Sequence, residues 1–193
     1  VHAAAFQGFF LAELGERFLT AYYRTVLDYS AGVFLVAERE GRVVGFVAGF
    51  LRPAEFYQMM SDRKWRFVVP ALLGIARRPG LLVRIIRRSK RVLSGKASDA
   101  PRAATACELS SVAVDPRTGG KGVGKKLVHK FMEDAAAIGA HEVFLTTDAE
   151  GNDAVNRFYL NLGFRCVRTF VQDGDRQMNE YAMPVVSSSA APQ

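Results

Sequence analysis

The stretch RTGGKGVGKKL, residues 117–127, sets four glycines and three lysines behind an arginine. Glycines let backbone N–H groups approach a ligand closely, and lysines at the mouth of a helix favour anions. The chemistry this spacing suggests is the holding of phosphate. A nucleotide P-loop would need a hydroxyl after Gly119, Gly124 and Lys125, but that position is Lys126, which cannot coordinate Mg²⁺. A dinucleotide-binding turn would need Gly-x-Gly-x-x-Gly after the first strand of a parallel sheet. Gly120, Gly122 and Gly124 have the wrong spacing. His2, His129, His141, Cys107 and Cys166 show no metal-ligand spacing, so no metal site is expected.

The elements that must position this turn are read from periodicity. Residues 4–27 repeat an apolar side chain every fourth position through Phe6, Phe10, Leu14, Phe18, Tyr22 and Val26, which predicts helix, divided at Leu14-Gly15. GVFLVAERE (32–40) and RVVGFVAGFL (42–51) predict a hairpin turning at EGR (40–42). ACELSSVAV (106–114) predicts a strand that leads into the glycine turn, and VGKKLVHKFMEDAAAIG (123–139) a helix. HEVFLTTD (141–148) predicts a strand and NDAVNRFYLNLG (152–163) a helix stopped by Gly163. FRCVRTFVQ and QMNEYAMPV close the chain as a hairpin around DGD (173–175).

At 193 residues, 49% hydrophobic and 23% charged, the chain is expected to form one domain over 1–186 with a disordered tail at 187–193. The apolar runs 43–51 and 67–76 are about half the ~20 residues that span a bilayer. No signal peptide is evident, and two buried thiols in a cytoplasmic protein are expected. The net charge of +7 is unevenly placed. Between Arg52 and Arg102 thirteen Lys/Arg face only Glu55, Asp62 and Asp99, a net of +10, while the rest of the chain is mildly acidic.

A third phosphate-binding turn fits better than the first two. GGKGVG (119–124) resembles, at Gly122 and Gly124, the Arg/Gln-x-x-Gly-x-Gly/Ala cradle of the GNAT-type N-acetyltransferases. VAVDP (112–116) looks like that family's preceding strand, and NDAVNRFYLNLGF (152–164) is similar to its Asn-x-x-Ala-x-x-Phe-Tyr-x-x-x-Gly-Phe. The resemblance covers 33–51 and 108–164, with the closing hairpin consistent. Gly119 stands where the family usually has Arg or Gln, a place that Arg117 or Lys121 would have to fill. The family's first strand is not evident before the hairpin.

The resemblance implies a mixed, mostly antiparallel α/β sheet with splayed central strands and flanking helices, binding acetyl-CoA. Val112, Ala113 and Val114 would pair with the pantetheine. Arg117, Gly119, Gly120, Lys121, Gly122, Val123, Gly124 and Lys125 would cradle the pyrophosphate. Asn152 and Asn156 would lie along the cofactor's arm, with a solvent-facing role equally open for Asn156. Tyr159 would be the general acid and Glu108 the base, with a salt-bridged or substrate-orienting role also open for Glu108 and Asp148 as a weaker alternative base. A base is needed because deprotonating a lysine-like amine at pH 7 costs about 4.6 kcal/mol. By strand alternation Glu108 should share a face with Ser110 and Val112.

Compact family members join their third and fourth strands by a short turn. This chain inserts a basic, helical segment over 52–105. Its helices would pack on the domain, cap an anionic acceptor, or meet a membrane surface through 56–93; nucleic-acid binding is not expected. The expected activity is acetyl transfer to a small-molecule primary amine, such as an aminosugar on an anionic carrier. The alternative is a non-catalytic acyl-CoA-binding module docking through its basic segment. Oligomeric state is left open.

Overall fold

The computed structural model of the protein describes residues 15–66, 102–118, 122–172 and 176–185. The expectations for residues 4–14, the helix at 79–93, the glycines at 119 and 120, Lys121, the DGD turn and the tail lie outside the described residues. The described part of the basic insertion is its opening helix and the residues from Arg102 onward.

Six strands form one sheet: β1 (Gly32–Arg39), β2 (Arg42–Leu51), β3 (Ala106–Val114), β4 (Glu142–Asp148), β5 (Arg165–Gln172) and β6 (Arg176–Pro184). Their order is β1-β2-β3-β4-β6-β5, and every neighbouring pair is antiparallel except β3–β4. Among the described residues four α-helices accompany them: α1 (Glu16–Asp28), α2 (Pro53–Asp62), α3 (Val123–Ala137) and α4 (Asp153–Asn161). The β1–β2 hairpin turns on Glu40 and Gly41, both at positive φ, which matches the right-handed twist of its strands. Arg52, also at positive φ, sends the chain from β2 straight into α2, where Pro53 suits the first helical position.

Each helix buries one stripe. On one face of the sheet, Leu127, Val128, Phe131 and Ala135 of α3 pack with Val47, Leu51, Cys107, Leu109, Val143 and Leu145. On the other, Phe18, Tyr22 and Val26 of α1 meet Phe50 of β2 and Phe56 of α2. The Phe50 and Phe56 rings stack at 3.7 Å, and both side chains are fully buried. A side chain of this kind contributes roughly 1.5–3 kcal/mol by leaving water.

Two expectations are corrected. Ala48 pairs with Ser111 but Gly49 with Leu109, so β3 carries one extra residue, Ser110, against β2. This bulge breaks the alternation. Glu108 and Ser110 face α1 and α2, as their bonds to Tyr57 and Tyr22 show, whereas Val112 and Val114 pack with the α3 core. Glu108 and Val112 therefore lie on opposite faces. Cys166 is exposed while Cys107 is buried, because β5 is an edge strand of the sheet.

Candidate active site

The parallel strands β3 and β4 are in register only at Ala106–Glu142, Cys107–Val143 and Glu108–Phe144. Beyond Glu108 they part, although β3 runs on to Val114 and β4 to Asp148. The β4-facing edge of β3 from Leu109 to Val114 thus has no strand partner among the described residues, and Val112, Ala113 and Val114 lie on it. An extended chain of amides fits such an edge as an added strand does.

Below this opening begins α3. Gly122 caps it in the left-handed region at φ 72°, with no side chain capping the helix. The first helical bond runs from Lys126 N–H to Gly122 O, which leaves the N–H groups of Val123, Gly124 and Lys125 without helical acceptors. A Cβ on Gly122 would meet nothing, and one on Gly124 would come 3.5 Å from Phe158 and 3.6 Å from Val114. The open space at Gly122 and the unpaired N–H groups leave a helix N-terminus accessible, which is where an anion binds. Lys125 is exposed beside them. Arg117 is committed otherwise: its guanidinium and its N–H both bond Asp115, and the pairing holds the Asp115 carboxyl down at about 2.

Glu108 sits at the last β3–β4 pair, half-buried, on the face of α1 and α2. The Tyr57 hydroxyl of α2 donates to its Oε1 at 2.9 Å. Desolvation pushes its carboxyl up to about 7, against the opposing pull of the Tyr57 bond and of Arg102, while the Glu180 charge pushes the same way as desolvation. A carboxyl poised near neutrality suits proton transfer. Asp148 is ion-paired with Arg176, whose Nη2 lies 2.7 Å from its Oδ2.

Tyr159 lies on the opposite face. Its ring is buried against Phe158, Phe164 and Tyr181, and its hydroxyl donates to none of the described residues. Desolvation alone raises its pKa. Asn152 caps α4 without a side-chain bond. Asn156 is buried, and the solvent-facing alternative is thereby corrected. Its Oδ1 accepts from Thr147 at 2.6 Å and from Tyr181 at 3.2 Å, and its Nδ2 donates to the Asp148 carbonyl at 3.0 Å. The amide is spent fastening α4 to β4 and β6.

Sequence reasoning missed Tyr57, Tyr22 and Arg102. Tyr22 shares a hydrogen bond with Ser110, the bulged residue, and burial raises its pKa. The only signal was that 22 lies on the apolar stripe of its helix, which gives no hint of a partner 88 residues away. Among the described residues no group of His, Cys, Asp or Glu stands where it could hold a metal ion. None of the described helices is long and apolar enough to cross a membrane.

The sequence model of the acetyltransferase (GNAT) family matches residues 4–164. No curated protein matches the chain. Among solved structures, an acetyltransferase 24% identical aligns over 79% of this chain and 70% of its own, with a TM-score of 0.51. The ribosomal-protein-S18-alanine N-acetyltransferase of Escherichia coli is 12% identical over 90% of this chain and 81% of its own, with a TM-score of 0.51. An aminoglycoside 6'-N-acetyltransferase in complex with coenzyme A is 14% identical over 86% and 78%, with a TM-score of 0.50. At these identities the three speak to the fold. The family match, which spans most of the chain, reaches from α1 through the parted strands to the end of α4, and on it the chain belongs to the GNAT family of acetyl-CoA-dependent N-acetyltransferases.

Proposed function

We propose that the chain acetylates a primary amine of a small molecule, with Glu108 as base and Tyr159 as proton source. The observation that carries this is the placing of Glu108. Its carboxyl is half-buried where β3 and β4 part, bonded by Tyr57 and raised to about 7. When bound, acetyl-CoA supplies the acetyl thioester. The β3 edge from Val112 to Val114 orients its amide arm, and the N–H groups of Val123, Gly124 and Lys125 hold its pyrophosphate. Glu108 takes a proton from the arriving ammonium on the α1/α2 face. The freed amine attacks the thioester carbonyl, so that a C–N bond forms as the C–S bond breaks. Tyr159, buried on the other face, would give its hydroxyl proton to the departing sulfur and regain one from the acylated nitrogen, which sheds its second proton. Because the two groups stand on opposite faces of the opening, acceptor and donor enter from opposite sides.

The acceptor class is read from charge. The segment 52–102 carries a net of +10, which favours an amine attached to an anionic carrier, such as a nucleotide-linked aminosugar. The test is thiol release from acetyl-CoA across a panel of nucleotide-linked aminosugars, free aminosugars and peptide N-termini. Turnover of the carrier-linked amines that weakens with salt is expected, together with a loss of about 10²-fold or more in Glu108→Gln. Turnover confined to peptides overturns the acceptor class. Acetyl-CoA binding without turnover on any amine favours a non-catalytic binding module.

A further inference from the structure

The charged groups around Glu108 form a connected cluster that the reaction as described does not use. Arg102 lies at the C-terminal end of the basic insertion. Its Nη1 bonds Glu142 Oε1 of β4 at 2.6 Å, and its Nη2 bonds Glu180 Oε1 of β6. Its guanidinium carbon stands 3.8 Å from the centre of the Phe144 ring, and Phe144 is the register partner of Glu108 across the last β3–β4 pair. Glu180 is almost fully buried, and its second oxygen accepts from Arg168 of β5 at 2.9 Å. Two acids and one ring thus fix the Arg102 guanidinium over the ring that is paired with Glu108 at the point where the strands part.

We infer that Arg102 is a positioning residue for Glu108, its guanidinium supplying the fixed positive charge against which that carboxyl ionises. The groups facing Glu108 are Tyr57 from α2, Tyr22 from α1, Arg102, and Glu180 from β6, while Cys107, next to it in the chain, points to the opposite face. Of these, Arg102 alone is cationic. Tyr57 favours the carboxylate through its hydrogen bond, whereas Glu180 and desolvation favour the neutral acid. Glu180 plays two parts. It holds Arg102 in place, and its own charge opposes the ionisation that Arg102 promotes.

This inference rests on the reading of Glu108 as the base, but its test does not need turnover. Carboxyl groups of ¹³C-labelled glutamate are titrated by NMR in the ligand-free protein, and the Glu108 resonance is assigned by its absence in Glu108→Gln. Arg102→Met is expected to move the Glu108 midpoint upward by at least about half a unit, because a nearby positive charge has been lost. Arg102→Lys keeps the charge but loses the fork that spans Glu142 and Glu180, and is expected to move the midpoint by clearly less than Arg102→Met does. A midpoint unmoved in Arg102→Met, or moved equally in Arg102→Lys, overturns the inference, because a tether without an electrostatic part gives those results. If Arg102→Met does not fold, Arg102→Gln, neutral but still able to hydrogen-bond, decides: an unmoved midpoint overturns it. The pH dependence of kcat/KM with the best amine of the acceptor panel then separates the two readings. A limb that persists in Glu108→Gln removes Glu108 as base while leaving the titration result standing.

Discussion

The Tyr57 hydroxyl donates to Glu108 Oε1 at 2.9 Å, binding the first helix of the insertion to the strand that opens the active site. The bond favours the carboxylate, so it works against the desolvation that raises Glu108. In Tyr57→Phe the donor is gone and the ring remains. The Glu108 midpoint is expected to rise by about one unit above its present value near 7. The rising limb of the pH profile of kcat/KM should shift to higher pH by the same amount. An unshifted limb would mean that the base is a different group.

The raised carboxyl of Glu108 has a consequence for stability. Its pKa stands near 7 in the folded chain against an ordinary value of 4.5. The folded state therefore binds this proton more tightly than the unfolded state does. The stability this confers is fully present below about pH 4.5 and is lost as pH rises through about 7. Glu108→Gln removes the buried charge but keeps an acceptor for Tyr57. It should match the parent at pH 4 and exceed it at pH 8 by on the order of 1–3 kcal/mol, after allowance for the carboxyl's remaining contact with water. Urea denaturation at the two pH values measures this. Equal stability differences at both would show that Glu108 is not destabilised by ionisation.

Gly49 faces the bulge on β3. A Cβ there would stand 2.1 Å from the Glu108 carbonyl oxygen and 2.5 Å from the Phe131 ring. One obstacle is backbone, and the other is a fully buried side chain of α3. Neither yields without moving the strand that carries the site. Gly49→Ala is expected to lose about 3 kcal/mol or more, read as a fall in the urea midpoint. A loss below about 1 kcal/mol would mean that β2 and β3 are less tightly apposed than this.

Much of this arrangement is legible in the sequence. Residues 106–114 alternate in a way that marks a strand, the glycines at 122 and 124 mark the start of α3, and Phe158-Tyr159 mark α4. These signals are local, and the physics behind them acts within a turn or a strand. What stayed hidden depends on contacts across the chain. The Ser110 bulge adds a residue without disturbing the alternation of buried and half-buried residues along its strand, so no period announces it. Tyr57 reaches Glu108 across 51 positions, and Arg102 reaches Glu180 across 78. Asn156 shows the same limit at short range. Its place three residues before Tyr159 suits a ligand contact as well as a structural one, and only the sheet beneath it decides.

Asn156 and Tyr159 are buried on the same helix, yet they should fail in different ways when truncated. Asn156 satisfies Thr147, Tyr181 and the Asp148 carbonyl, so Asn156→Ala strands three polar groups. It is expected to cost about 2–3 kcal/mol of stability. Tyr159→Phe keeps the ring against Phe158, Phe164 and Tyr181 and removes a hydroxyl that bonds none of the described residues. Its stability should stay within about 0.5 kcal/mol of the parent. If the hydroxyl is the proton source at the departing sulfur, turnover should fall by about 10²-fold or more with coenzyme A affinity unchanged. Calorimetric titration with coenzyme A, urea denaturation and thiol release on the two variants resolve the pair. A Tyr159→Phe protein with full turnover would assign the proton to water and leave Tyr159 as a packing residue.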